Sequence, residues 1–394
     1  MAKQTASKVP QIRFKGFEEE WEEIFLGEIY KKIRNAFVGT ATPYYTQKGH
    51  FYLQSNNVKN GEINRNTEIF INEEFYLKQK DNWLRSNDIV MVQSGHVGHT
   101  AVIPDELNNS AAHALIIISK PLRDTCSYYL NFYFQGNRAR RELANITTGN
   151  TIKHILASDI KKFGVYFTHH DEQTKIGGYF RELDRLIGLH KRKHDKLVTL
   201  KKAMLQKMFP QPGATTPEIR FKGFSGDWME NKLGNVFSYE RPDQYIVESS
   251  EYSNENRIPV LTANKAFILG YTNESRTFNK PCIIFDDFTL EAKYVDFPFM
   301  VKSSAIKLLT IQDNKVDDLY YAFLILSNAQ IEIMGHARHY IGVVQPTLVR
   351  KPKIAEQQKI GTYFRTLDEL ISKHATQLKK LKQIKSACLE KMFT

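Results

Sequence analysis

The sequence predicts an α+β chain, in which two mixed α/β domains are joined by two long antiparallel coiled-coil helices with a pseudo-twofold internal repeat. Three observations carry this prediction. The stretch 171–209 returns at 355–393 without a gap: at an offset of 184, Glu172, Gln173, Lys175, Ile176, Gly177, Tyr179, Phe180, Arg181, Leu183 and Asp184 meet identical residues, and Lys207-Met208-Phe209 meet Lys391-Met392-Phe393. Both copies carry a heptad seam, with apolar Ile176, Phe180, Leu183, Ile187 and Leu197 in the first and Ile360, Phe364, Leu367, Ile371 and Leu381 in the second, and with His190 and His374 at its midpoints. The opening PQIRFKGF of residues 10–17 recurs as PEIRFKGF at 217–224, an offset of 207, so the second half is a copy shortened by 23 residues before its helix.

Each element follows in order. Trp21 or Trp228 and then Leu26-Gly27 or Leu233-Gly234 succeed the opening motif and start each globular part. Residues 51–57 (FYLQSNN) and 258–264 (IPVLTAN) read as a strand entering a polar turn, with Asn57 and Asn264 in register. Strands are predicted at 88–93 and 282–287 and at 114–118 and 305–309 from their β-branched content, and short helices at 128–137 and 319–328. A helix of 39 residues is roughly 57 Å long at about 1.5 Å per residue, more than one globular domain can bury, so its seam is expected to pack on its twin. Pro210, Pro212, Gly213 and Pro217 form a linker that no helix or strand crosses unbroken. The predicted boundaries are 1–170 for the first domain, 171–209 for the central helix, 210–216 for the linker, 217–354 for the second domain and 355–394 for the last helix.

The formal charge is +12, and the long helices hold ten basic against five acidic residues in the first and eight against four in the second. That balance favours a polyanionic partner, nucleic acid foremost. No apolar run approaches the ~18 residues of a membrane span and the amino terminus has no apolar core of a signal peptide, so the expected location is the cytoplasm. Cys126, Cys282 and Cys388 form no CxxC pair and read as packing residues.

No phosphate-binding GxxxxGK[ST] loop, GxGxxG, HExxH or GxSxG is present. Asp286, Asp287, Glu291 and Lys293 loosely resemble a metal-dependent nuclease constellation, the basis of an alternative reading as a self-sufficient nuclease. A stand-alone two-domain DNA-binding protein is a further alternative. His169-His170 and the pair His190 and His194 lack an accompanying Cys or carboxylate pattern, and no metal site is expected. Residues 94–99 (SGHVGH) read as a tight turn, too short to cradle a phosphate. DNA-contact chemistry is offered by Arg34, Asn35, Tyr44, Tyr45, Gln47, Lys48 and Asn57 in the first domain, and by Arg241, Gln244, Tyr245, Asn264, Lys265 and Arg276 in the second. Later loops add Arg138, Arg140, Arg141 and Lys153, then Arg338, His339 and Tyr340.

With the two helices EQTKIGGYFRELDRLI and EQQKIGTYFRTLDELI, the paired IRFKGF openings and the segments FYLQSNN and IPVLTAN, the chain resembles the specificity subunit of type I restriction-modification enzymes over roughly residues 10–393. The resemblance implies a non-catalytic protein whose two target-recognition domains each read one half of a split DNA site. Its paired helices would set the spacer and dock two methyltransferase subunits, with motor and nuclease subunits joining the complex. S-adenosylmethionine, ATP and Mg would then belong to those partners, with none in this chain, which lacks the [NDS]PP[YF] motif of adenine methyltransferases. A split site also calls for antiparallel helices, because parallel ones would crowd both domains at one end. Antiparallel pairing would bring the helix midpoints His190 and His374 together near the dyad as a polar register point.

Overall fold

The computed structural model of the chain describes residues 9–149, 153–262, 267–329, 331 and 338–393. The chain divides into two compact units, Met1–Lys191 with Thr376–Thr394 and Arg192–Ala375. Each therefore takes the beginning of one long helix and the end of the other, and the two cuts fall at equivalent points of the repeat.

In the first unit, β1 (Tyr30–Asn35), β2 (Ile89–Val92), β3 (Thr100–Val102) and β4 (Leu115–Pro121) form an antiparallel sheet in the order β1-β4-β2-β3. The second unit repeats it with β5 (Phe237–Glu240), β6 (Cys282–Asp286), β7 (Ala292–Val295) and β8 (Ile306–Ile311) in the order β5-β8-β6-β7. The central strands of each sheet are buried without alternation because both faces of the sheet are covered. Ile89, Met91, Ile116 and Ile118 enter one cluster, while Val90, Val92, Leu115 and Ile117 enter another. In the second unit Ile283, Phe285 and Leu309 are divided in the same way from Cys282, Ile284 and Leu308. A smaller sheet in each unit holds the predicted strand-turn segments: His50–Leu53 runs parallel to Ala111–Ala112, and Ile258–Leu261 parallel to Met300–Val301.

The helices are α1 (Ser127–Tyr133), α2 (Asn137–Ile146), α3 (His170–Lys207), α4 (Leu319–Asn328) and α5 (Ile354–Met392). The repeated motifs explain how α3 and α5 are seated. Arg13 of the opening motif grips Glu172 through both carboxylate oxygens, at 2.7 and 2.8 Å, and Arg220 grips Glu356 at 2.7 Å twice. The neighbouring Gln173 Oε1 accepts the backbone N–H of Cys126 at the start of α1, and Gln357 Oε1 that of Asp318 at the start of α4. One turn on, a Cβ on Gly177 would lie 3.1 Å from Cys126 Sγ and from Tyr129 N, and one on Gly361 2.6 Å from Asp318 Oδ1, so only glycine lets these helices approach.

Within each unit the start of one long helix runs antiparallel to the end of the other. In the first, Phe180 stacks on Phe393 while Lys385 Nζ donates to Asp184 at 2.7 and 2.8 Å; in the second, Phe209 meets Phe364 and Lys201 Nζ donates to Asp368 at 2.5 and 2.7 Å. These are the same pairs shifted by the repeat. The opening motif also joins the helix end through a repeated backbone bond, Ile12 N to Lys391 O at 3.1 Å and Ile219 N to Lys207 O at 2.8 Å.

Two expectations need correction. The seam does not serve the twin helix alone: Ile176, Phe180 and Leu183 lie in the first unit's globular core, where Phe180 also stacks on Phe132 of α1, and Ile360, Phe364 and Leu367 lie in the second's. The glycine contact brings that end of the seam onto α1 and α4. Farther along, Leu197 packs on the second unit's core and Leu381 on the first's, while Ile187, His190, Ile371 and His374 are half-buried. Arg138, Arg140 and Arg141 were assigned to a loop but stand on α2, a helix closed onto the core by Ala139 and Leu143.

Candidate nucleic-acid interface

The residues expected to touch DNA fall into three groups by where their polar atoms go. Asn57, His339 and Tyr340 are turned inward, at 1%, 0% and 1% exposure, which removes them from any contact surface. Asn57 accepts Gln54 N and donates to the carbonyls of Asn64 and Thr67, and so organises the turn it was expected to expose. His339 N donates to Asp287 O and Tyr340 N to Asp287 Oδ1, with the Tyr340 ring against Tyr239 and Phe285. A buried polar group must find partners; Asn57 finds its own in the backbone of its turn, and the backbone of His339 and Tyr340 in Asp287.

A second group is partly committed. Arg34 donates to Asp81 O at 2.9 Å, and burial lowers its pKa although Asp88 and Asp81 oppose that shift. Its Nε and Nη1 are buried without a partner. Tyr44 stacks on Phe75 at 4.1 Å, and Tyr45 OH accepts Gln54 Nε2. Arg138 lies over Tyr166 at 4.1 Å and is tied to Glu142 and Glu23. Gln244 and Tyr245 both donate to Glu240 Oε1, Arg276 pairs with Glu248, and Arg338 lies over Phe288. Asn264 and Lys265 lie outside the described residues.

The third group is exposed: Asn35, Gln47, Lys48, Arg140, Arg141, Lys153 and Arg241. Of these the fold brings Arg140 and Lys153 together, around an open cavity of about 390 Å³ roofed by the loop 94–99. Gly95 and Gly98 there have φ of +81° and +82°, a left-handed backbone that favours glycine. Gly95 N donates to Lys153 O, which ties loop to lysine. His96 Nε2 bonds the carbonyl of Ser55, and His99 Nδ1 accepts Asn60 N at 3.2 Å. Burial, with His96, Arg140 and Lys59 nearby, lowers the pKa of His99 and keeps its ring neutral. Because Nδ1 is an acceptor, the proton of that neutral ring sits on Nε2. The loop's histidines were missed as site residues because Arg140 and Lys153 are more than 40 positions away in sequence; the glycine spacing of 94–99 was the available signal.

The acidic set of the second unit has local work. Asp286 Oδ1 accepts Phe288 N and Thr289 N, both at 2.9 Å, and Asp287 lies 3.5 Å from buried Lys307. Lys293 and Glu291 stand 3.9 Å apart. Among the described residues no three of His, Cys, Asp and Glu are grouped to hold a metal ion, and no helix is long and apolar enough to cross a membrane.

A family model described as "Type I restriction modification DNA specificity domain" matches residues 18–199 and 225–383. The chain is 42% identical over 125 residues to the "Type I restriction enzyme EcoR124I/EcoR124II specificity subunit" of Escherichia coli, a match spanning 30% of each chain. It is 21% identical over 402 residues to the "Putative type I restriction enzyme MjaX specificity subunit" of Methanocaldococcus jannaschii, covering 95% of this chain and 93% of that one. In fold it is similar to the S subunit of a type I restriction-modification system from M. genitalium, with a TM-score of 0.73 and 15% identity over 98% of this chain and 99% of that one. With a repeated sheet, a repeated helix seat and a family match over both repeats, the chain belongs to the type I restriction-modification DNA specificity family, the DNA-recognition subunits of those systems.

Proposed function

We propose that each globular domain reads one half of a bipartite DNA site, that the paired helices set the spacer between the halves, and that they dock two methyltransferase subunits, through which restriction and translocase subunits join. The observation that carries this reading is the repetition of a complete set of contacts, Arg13–Glu172 with Lys385–Asp184 and Arg220–Glu356 with Lys201–Asp368, so that each half is a finished unit with its own loops. The E. coli and M. jannaschii relatives, named as specificity subunits of type I restriction enzymes, the latter as a "Putative" one, support it. S-adenosylmethionine, ATP and Mg would be held by the partner subunits and the complex would work in the cytoplasm. The test is to exchange residues 10–170 for those of a relative and map methylated adenines in DNA exposed to the chain with its methyltransferase partner. One half of the site should change while the other stays; a change in both halves overturns the reading.

A further inference from the structure

We propose that the cavity beneath loop 94–99 binds a phosphate of the DNA backbone at the half-site read by the first domain; this rests on the DNA-recognition reading above. Among the described residues the lining carries positive charge without a counter-charge: Arg140 and Lys153 line it, and no Asp or Glu does. Among the described residues neither cation has an ion pair or a side-chain hydrogen bond, so both keep their donors for a ligand. His99 adds a third donor, its Nε2–H, fixed by the bond from Asn60 N to Nδ1. Thr147 Oγ1 is committed as a donor to Leu143 O at 2.7 Å. A site made of an Arg, a Lys and a neutral imidazole donor, with no carboxylate, is complementary to a phosphate oxygen cluster.

Two further features favour a backbone phosphate over a free nucleotide. Among the described residues the cavity holds no Tyr or Trp, and its one Phe, Phe134, is 2% exposed, so no Phe, Tyr or Trp face is open for a base to stack on. A Cβ on Gly95 would meet nothing within 4 Å, so the mouth of the cavity stays open to a ligand continuing outside it. Arg141 beside it is exposed and prolongs the positive surface. Among the described residues of the second unit, the equivalent hairpin carries acidic side chains instead: Asp286 caps its own turn and Asp287 is spent on Lys307 and Tyr340.

The test measures binding of a labelled duplex carrying the mapped site by the full chain with its methyltransferase partner, across a salt series, for wild type, Arg140→Gln, Lys153→Gln and, as a control at an exposed lysine of the opening motif, Lys15→Gln. Each cavity variant should bind about five- to tenfold more weakly and lower the slope of log affinity against log salt by about 0.9, alike on specific and unrelated duplexes. Lys15→Gln should behave as wild type. If wild type binds duplex with a steep salt slope and both cavity variants match it, the proposal is overturned while DNA recognition stands; if wild type binds no duplex, DNA recognition itself fails. Calorimetry with a 5′-mononucleotide separates the phosphate's sources: loss of its binding in the variants with duplex binding intact would assign the cavity to free nucleotides and overturn the backbone assignment.

Discussion

In the first unit the strand Gly164–Phe167 ends on Phe167, whose ring lies under Arg123; in the second, the equivalent strand Leu348–Lys351 ends on Lys351, whose ammonium reaches Asp317 at 2.5 and 2.7 Å with both side chains about 5% exposed. Thr125 stands where Asp317 does, two residues before the first residue of the short helix. The Trp that follows the opening motif differs too: Trp21 Nε1 donates to Glu172 at 3.0 Å, whereas Trp228 Nε1 is buried and has no partner among the described residues. At the start of the second sheet strand the first unit buries Asp88 and the second buries Cys282. One backbone plan thus accommodates an aromatic or an ionic filling at the same position.

The largest effect should come from breaking the ionic filling. Lys351→Met leaves Asp317 buried and charged and should cost about 3–5 kcal/mol in the second unit's unfolding. The pair Asp317→Thr with Lys351→Phe, which installs the first unit's residues, should recover most of that loss. Denaturant titration followed through Trp228 fluorescence checks it, and a double variant no better than the single one would show that the two fillings are not interchangeable.

Next come the arginine clamps. Glu172 accepts bonds from Arg13, Trp21 and Thr168, while among the described residues Glu356 accepts them from Arg220. Arg220→Ala should therefore cost more, about 3–4 kcal/mol, than Arg13→Ala, about 2 kcal/mol, by thermal unfolding at neutral pH. Burial works against the ionised form of Glu172, but the bonds from Arg13, Thr168 and Trp21 outweigh it and hold its pKa below the ordinary value. Its contribution is accordingly full above the unfolded pKa, about 4.3, and lost as pH falls through the lower folded value, so the Arg13→Ala deficit should shrink in acid.

Asp88 has the opposite sign. Burial raises its pKa to about 6, against the pull of the Arg85 backbone bond and of Arg34. The folded state binds this proton more tightly than the unfolded one, so stability falls as pH rises from about 4 to 6 and then levels off. Cys282, pushed up to about 12 by burial, stays neutral throughout that range. Asp88→Asn should remove the slope from the first unit and stabilise it by about 1–3 kcal/mol at pH 7.5; an unchanged pH profile would refute the assignment.

The smallest contrast lies on the seat of α3 and α5. Gly361→Ala, with its Cβ only 2.6 Å from Asp318 Oδ1, should destabilise by about 2 kcal/mol and Gly177→Ala by less. Gly178, whose added Cβ meets nothing within 4 Å and which faces Thr362 in the repeat, should instead gain about 0.5–1 kcal/mol on becoming Ala. Parallel melting curves rank the three.

The sequence by itself determined the repeat, the two long helices, the central strands and the helix 319–328, because these rest on local periodicity and on apolar content that both faces of a sheet demand. It also marked Glu172, Gln173 and Gly177 as special, since identical residues return at Glu356, Gln357 and Gly361. Their tasks came only from the tertiary structure, which sets the carboxylate against an arginine 159 positions away and the amide against the first turn of another helix. Tertiary structure alone also sorted the contact candidates. An Asn or Tyr in a polar turn has the same composition whether its donors face water or the backbone beneath, and Asn57 and Tyr340 turned inward. Arg140 and Lys153 could not be joined to the loop 94–99 from sequence, because a cavity is assembled by the packing of α2 against the sheet and leaves no periodic trace in the chain.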